Sequence, residues 1–193
     1  MIFQISKNEL EIVNARFNEV LQTLTFENAD SKVLMLGNPP KKLRSSGIKD
    51  KPLKLYGNKL VKKAKKHNFV FSDIKNLPKA IAAPIAVFKG SHDDSFVILT
   101  KLEIKGNKVV VSIETNKKGE VDINLISSVY GKSNDGIVDW INKEKLLYAN
   151  KEKALDYLSA PALITGATNN QKLNSATKVV KNFKNPTIED KKV

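Results

Sequence analysis

The chain contains two histidines, His67 and His92, and no cysteine. Disulfides, thiolate nucleophiles and zinc–thiolate sites are therefore excluded. Proton transfer near neutral pH falls to imidazole, the side chain that titrates there. His67 ends a lysine-rich run that includes Lys59, Lys62, Lys63, Lys65 and Lys66. A phosphate held by those lysines would meet charge and a proton donor together; the alternative is a helix-end histidine that interacts with the last carbonyls. His92-Asp93-Asp94 has the ligand types for a weak cation site, but between two β-rich runs these are also ordinary turn residues. The third group is Ser127-Ser128-Val129-Tyr130-Gly131-Lys132. Strand alternation puts Ser128 and Tyr130 on one face, with Lys132 continuing it if the chain stays extended past Gly131. A hydroxyl, a phenol and an ammonium then stand in line, unless Tyr130 is a half-buried packing aromatic.

The charge is uneven along the chain. The 33 basic and 20 acidic residues give +13 overall. Residues 41–66 hold eleven basic side chains, Arg44 among them, against the single acid Asp50. Such a cluster is the footprint of a polyanion partner, because each neutralised phosphate releases condensed counterions. The competing reading is a solvated lysine surface that follows from a Lys- and Asn-rich composition. Arg, the better bidentate phosphate ligand, occurs only at positions 16 and 44.

Several function classes are absent from the sequence. It has no Gly-rich phosphate loop, no HExxH and no GxSxG. No apolar run approaches the ~18–20 residues needed to cross a bilayer. The N-terminus Met1-Ile2-Phe3-Gln4-Ile5-Ser6 lacks the parts of a signal peptide. A cytoplasmic protein with no membrane partner, no metal and no cofactor is expected.

These residues need elements to position them. Ser6 and Glu9 have capping-box spacing, and Leu10, Val13, Phe17 and Leu21 recur on one helical face, predicting a helix over 6–22. Val33–Leu36 predicts a short strand stopped by Gly37-Asn38-Pro39-Pro40, and Pro40 starts a short helix that Gly47 ends. Pro52–Tyr56 alternates as a strand with one wet face, before a Lys-rich helix that reaches His67. Ser72 and Asp73 can cap a further short helix, and Pro78 suits the first turn of the next. Ile85–Phe88, Phe96–Thr100, Val109–Ile113 and Val121–Tyr130 predict an antiparallel meander. Its turns fall at Ser91–Asp94, Gly106-Asn107 and Lys117–Glu120. A helix over 134–145, a closing strand Leu146–Tyr148 and a helix over 151–158 follow. The fold class is α+β, with an antiparallel sheet of about four to six strands and helices from both ends of the chain packed on it. Residues 1–30 are expected as a helical extension, 31–186 as the domain and 187–193 as a flexible tail.

Several segments resemble the C-terminal domain of phage MuF proteins. They include Leu36-Gly37-Asn38-Pro39, Pro52-Leu53-Lys54-Leu55, His67-Asn68-Phe69 and Asp73–Ala80. Pro84–Phe88, the group Ile126, Ser127, Val129-Tyr130 and Lys132, and Leu146–Lys151 continue the series. Ala176–Phe183 with Asn185-Pro186 resembles the end of the domain. The likeness covers about residues 15–186 and lies in order and spacing. That family is grouped with nucleases such as barnase, EndoU, the colicin tRNases and RelE toxins. The resemblance implies a small antiparallel sheet with helices on one side, and metal-independent RNA cleavage by a toxin or effector of phage or mobile-element origin.

In such cleavage the substrate's own 2′-hydroxyl is the nucleophile. A base accepts its proton, an acid protonates the departing 5′-oxygen, and cations stabilise the phosphorane. The candidate catalytic set is His67, Lys132, Ser128 and Tyr130. The candidate phosphate and RNA contacts are Arg44, Lys41, Lys62, Lys63, Lys66, Tyr148 and Lys151. Arg44 is either a bidentate phosphate grip or a cap of its short helix, and Tyr148 either stacks a base or packs in the core. The expected partners are RNA, tRNA included, or another nucleic acid, with an immunity protein as a further candidate. The alternative is a catalytically inactive nucleic-acid- or protein-binding module that keeps a nuclease-like fold.

Overall fold

Ser6 opens the first helix as its spacing predicts, its Oγ accepting the Glu9 N–H at 3.1 Å. The computed structural model describes residues 6–116 and 122–159. Helix α1 (Lys7–Gln22) buries Asn14, Phe17 and Leu21 along one stripe. A 3-10 turn and strand β1 (Val33–Met35) follow. Pro40 begins α2 (Lys41–Ser45), and Gly47, at φ 104°, lies just beyond its end. In β2 (Leu53–Tyr56), buried Leu53 and Leu55 alternate with half-buried Lys54 and Tyr56, the one wet face that the pattern predicts. Helix α3 (Gly57–His67) ends at Asn68 in the left-handed conformation. A 3-10 turn at Phe71–Ile74 and α4 (Leu77–Ala82), with Pro78 in its first turn, complete the N-terminal half.

The meander is present as β3 (Ala86–Lys89), β4 (Ser95–Ile104), β5 (Asn107–Glu114) and β6 (Asn124–Lys132). Its β4–β5 turn is Lys105-Gly106, one residue earlier than expected. Both residues have positive φ, as a two-residue turn of this hand requires. Helix α5 (Asn134–Asn142), β7 (Leu146–Ala149) and α6 (Lys151–Ser159) follow. The turn expected at Lys117–Glu120, the start of the fourth meander strand at Val121, the domain end at 176–186 and the tail lie outside the described residues.

Three expectations are corrected. The sheet has seven strands rather than four to six, in the order β1-β2-β6-β5-β4-β3-β7. It is not wholly antiparallel, since β2 and β6 run parallel over Leu53↔Asn124 and Lys54↔Leu125. The helices also cover both faces rather than one. The meander strands are apolar on both sides and require it. Val87, Ile98, Val109 and Val111 face a first core shared with α1, α3 and α4. Phe88, Leu99 and Val110 face a second, capped by Ile137, Val138 and Ile141 of α5 and Ala154 and Tyr157 of α6. Among the described residues no helix is long and apolar enough to cross a membrane.

Candidate functional site

Across the second face the sheet changes character. Beside α5 its residues are Leu99, Val110 and Tyr130; two positions further on they are Val97, Ser112 and Ser128, and then Ser95 and Glu114. Helix α5 does not reach this polar half. A register shift between Ser112 and Ile113 adds Ser127 as an extra residue on β6, which re-aims the strand there. The open half is the floor of a cleft of about 550 Å³.

One wall is α3. Strand β2 pairs with β6 over only two residues, and beyond them α3 lies beside β6. Leu60, Val61 and Ala64 turn into the first core. Lys59, Lys63 and His67, spaced four apart, form the adjoining stripe of the helix. Lys59, Lys62 and Lys63 line the cleft. His67 ends the stripe with its ring stacked on Tyr130, centroids 4.9 Å apart. Burial, then the charges of Lys66 and Lys63, hold the His67 pKa below its ordinary value. Burial raises that of Tyr130. This pair is therefore a neutral imidazole on a neutral phenol at neutral pH.

The opposite wall is the β3–β4 loop, through Gly90, Ser91 and His92. Ser95 fixes it: its Oγ accepts the His92 N–H at 2.9 Å and donates to the His92 carbonyl at 2.7 Å. The Gly90 N–H reaches the Ser95 carbonyl at 2.8 Å. A Cβ at Gly90 would collide with the Ser95 side chain, so glycine is required by the close approach. The His92 backbone is thus pinned, and His92, an exposed residue, lines the cleft.

Of the residues expected from sequence, the fold brings Lys62, Lys63 and Ser128 into the cleft and stacks His67 and Tyr130 beside it. Lys66 is exposed on α3. Lys132 continues the Ser128–Tyr130 face by register, but its Nζ lies 4.8 Å from the Trp140 ring centroid, so α5 draws it away from the cleft. Arg44 pairs with Asp50 at 2.6 Å. Its helix α2 packs on the first core through Leu43, as does Tyr148, with Lys42 Nζ 5.9 Å from the Tyr148 ring. Arg44, Lys41 and Tyr148 are not among the residues that line the cleft. Lys151 is exposed at the start of α6. Glu114 and Ser112 carry no motif in the sequence, and His92 reads there only as a turn residue or a weak cation ligand. The available signal was the switch from apolar to polar at alternate positions of β4, β5 and β6.

Among the described residues no three His, Asp or Glu side chains group as a metal site. The chain thus combines a mixed sheet, helices on both faces, and a lysine-walled cleft carrying an imidazole and a carboxylate. Residues 58–156, just over half of the chain, match the family model of the Phage MuF-C-terminal domain, and the chain belongs to that family. The match runs from α3 through most of α6 and contains both walls and the floor of the cleft. No curated protein and no solved structure matches it.

Proposed function

We propose that this domain binds RNA in the cleft and cleaves its backbone with the substrate's own 2′-hydroxyl as nucleophile. The observation that carries this reading is the convergence of His92, Glu114, Ser128 and three lysines on one open cleft. The lysines hold the scissile phosphate and offset the charge that builds on the phosphorane. The Glu114 carboxylate accepts the 2′-hydroxyl proton as that oxygen attacks phosphorus. The His92 imidazolium donates a proton to the departing 5′-oxygen, leaving a 2′,3′-cyclic phosphate and a free 5′-hydroxyl. The reading keeps the ribonuclease chemistry implied by the resemblance to barnase- and RelE-like nucleases, and moves its reactive centre from His67 to His92 and Glu114. Its setting is a toxin or effector of phage or mobile-element origin that acts on cytoplasmic RNA.

A second reading is a nucleic-acid-binding module without turnover. It is favoured by the His67–Tyr130 stack, which holds one of the two imidazoles against a ring rather than in the cleft. The test is incubation of total RNA and tRNA with the folded chain in EDTA, with analysis of the product ends. Cyclic phosphate ends support the nuclease. Tight, salt-dependent binding with intact RNA selects the binding module.

A further inference from the structure

The wet face of β2 lies on the same side of the sheet as the cleft, with the buried Leu125 between them. Leu53 and Leu55 are buried in the first core, so Lys54 and Tyr56 point to the other side, the side of the cleft. The strand registers define one row across the sheet: Met35, Lys54, Leu125, Glu114, Ser95. The last two residues are cleft floor, and the first two belong to a shelf outside it. On that shelf Val33 pairs with Tyr56, and Met35 with Lys54. Val33 and Met35 are 38% and 43% exposed, unusual for strand residues of this size. Lys54 Nζ lies 4.8 Å from the Tyr56 ring centroid and Lys59 Nζ 5.9 Å. Lys59 also lines the cleft, so one ammonium serves both surfaces.

An aromatic ring and two apolar side chains flanked by ammonium groups suit a ligand with flat apolar faces and a regular negative charge. Single-stranded nucleic acid has both, and stacks its bases on aromatic side chains while lysines track its backbone. We infer that Tyr56, with Val33 and Met35, forms a base-stacking subsite for the strand whose phosphate occupies the cleft. This rests on the reading of the cleft as a nucleic-acid site. Lys54 and Lys59 hold the phosphate between the stacked base and the cleft. The subsite needs an unpaired base, because a base within a duplex has both faces covered by its neighbours.

The experiment measures affinity of the full chain for a labelled, uncleavable 2′-O-methyl octanucleotide and for an abasic octamer of equal charge. Tyr56→Ala is expected to weaken the base-bearing strand roughly tenfold, the effect of losing one stacked base. It leaves the abasic strand unchanged, and Tyr56→Phe stays within about twofold of the native chain. Replacing Lys62 and Lys63 together with alanine weakens both strands, because it removes charge common to them. Equal losses on the two strands with Tyr56→Ala overturn the subsite. So does an unchanged affinity for the base-bearing strand, which leaves the shelf to a protein partner. Loss on the base-bearing strand alone, with RNA left uncleaved, supports the subsite and removes the nuclease reading. No binding of either strand removes the subsite and the nucleic-acid cleft together.

Discussion

The imidazole of His67 lies on the phenol ring of Tyr130, with centroids 4.9 Å apart and planes 20° from parallel. This contact ties the last turn of the basic helix to the C-terminal part of β6, on the face that carries the cleft. The proton affinity of the ring is lowered. Burial leaves an imidazolium poorly solvated, and Lys66 and Lys63 repel it.

The His67 titration midpoint, followed by NMR, is expected below the usual ~6.5. Lys63→Ala and Lys66→Ala each raise it. The folded chain binds this proton less readily than the unfolded chain, so the contribution to stability is complete above about pH 6.5. It falls as pH drops through the lowered midpoint, and a urea midpoint measured across that window should fall with it. A His67→Gln chain should lose that part of the pH dependence.

Lys62 and Lys63 line the cleft, whereas Arg44 is engaged with Asp50 outside it. Each lysine-to-alanine change is therefore expected to reduce the slope of log affinity for single-stranded RNA against log salt by about 0.7. Arg44→Gln should leave the slope unchanged. Its exposed ion pair costs less than about 1 kcal/mol of stability when broken. A slope that responds to Arg44 and not to the lysines would place the binding surface outside the cleft.

If His92 is the acid and Glu114 the base, His92→Ala and Glu114→Gln each lower the single-turnover cleavage rate by about 10²–10⁴-fold while RNA affinity changes little. His67→Ala is expected to have a smaller effect, since its ring lies beside the cleft. A larger loss from His67→Ala than from His92→Ala would return the reactive centre to the helix end.

Gly90→Ala forces a methyl group into the Ser95 side chain. A destabilisation of about 1–3 kcal/mol is expected in urea unfolding, the usual cost of an overpacked contact. The cleavage rate should fall more than RNA affinity, because the displaced loop carries His92 and not the lysines.

Local features of the fold were legible in the sequence, and long-range ones were not. Ser6 and Glu9 announce the first helix, and Leu53 and Leu55 announce a strand with Lys54 and Tyr56 on its wet side. Helical periodicity shows that Ile137 and Ile141 share an apolar stripe. It does not say which face of a sheet that stripe covers, so two-sided packing has no local signal. The parallel pairing of β2 with β6 joins Leu53 to Asn124 across about 70 residues, with no local turn to signal it. The buried Asn124 side chain secures the junction by donating to the Lys49 and Lys51 carbonyls at 2.7 and 2.6 Å. The site was legible where charge marks it, at Lys62 and Lys63. Glu114 and His92 are unremarkable in a strand and a turn. They come together because the β4–β5 ladder sets Ser95 opposite Glu114 and the loop before Ser95 carries His92.

Strands β6, β5 and β4 span the cleft between its two walls, and that fixes its gauge. Adjacent strands lie about 4.8 Å apart, so the floor is roughly 10 Å across. An α-helix with its side chains measures about 10–12 Å, so an extended polymer is the better match to a floor of this width. If the cleft cleaves RNA as proposed, cuts are expected in loops and melted segments rather than in hairpin stems.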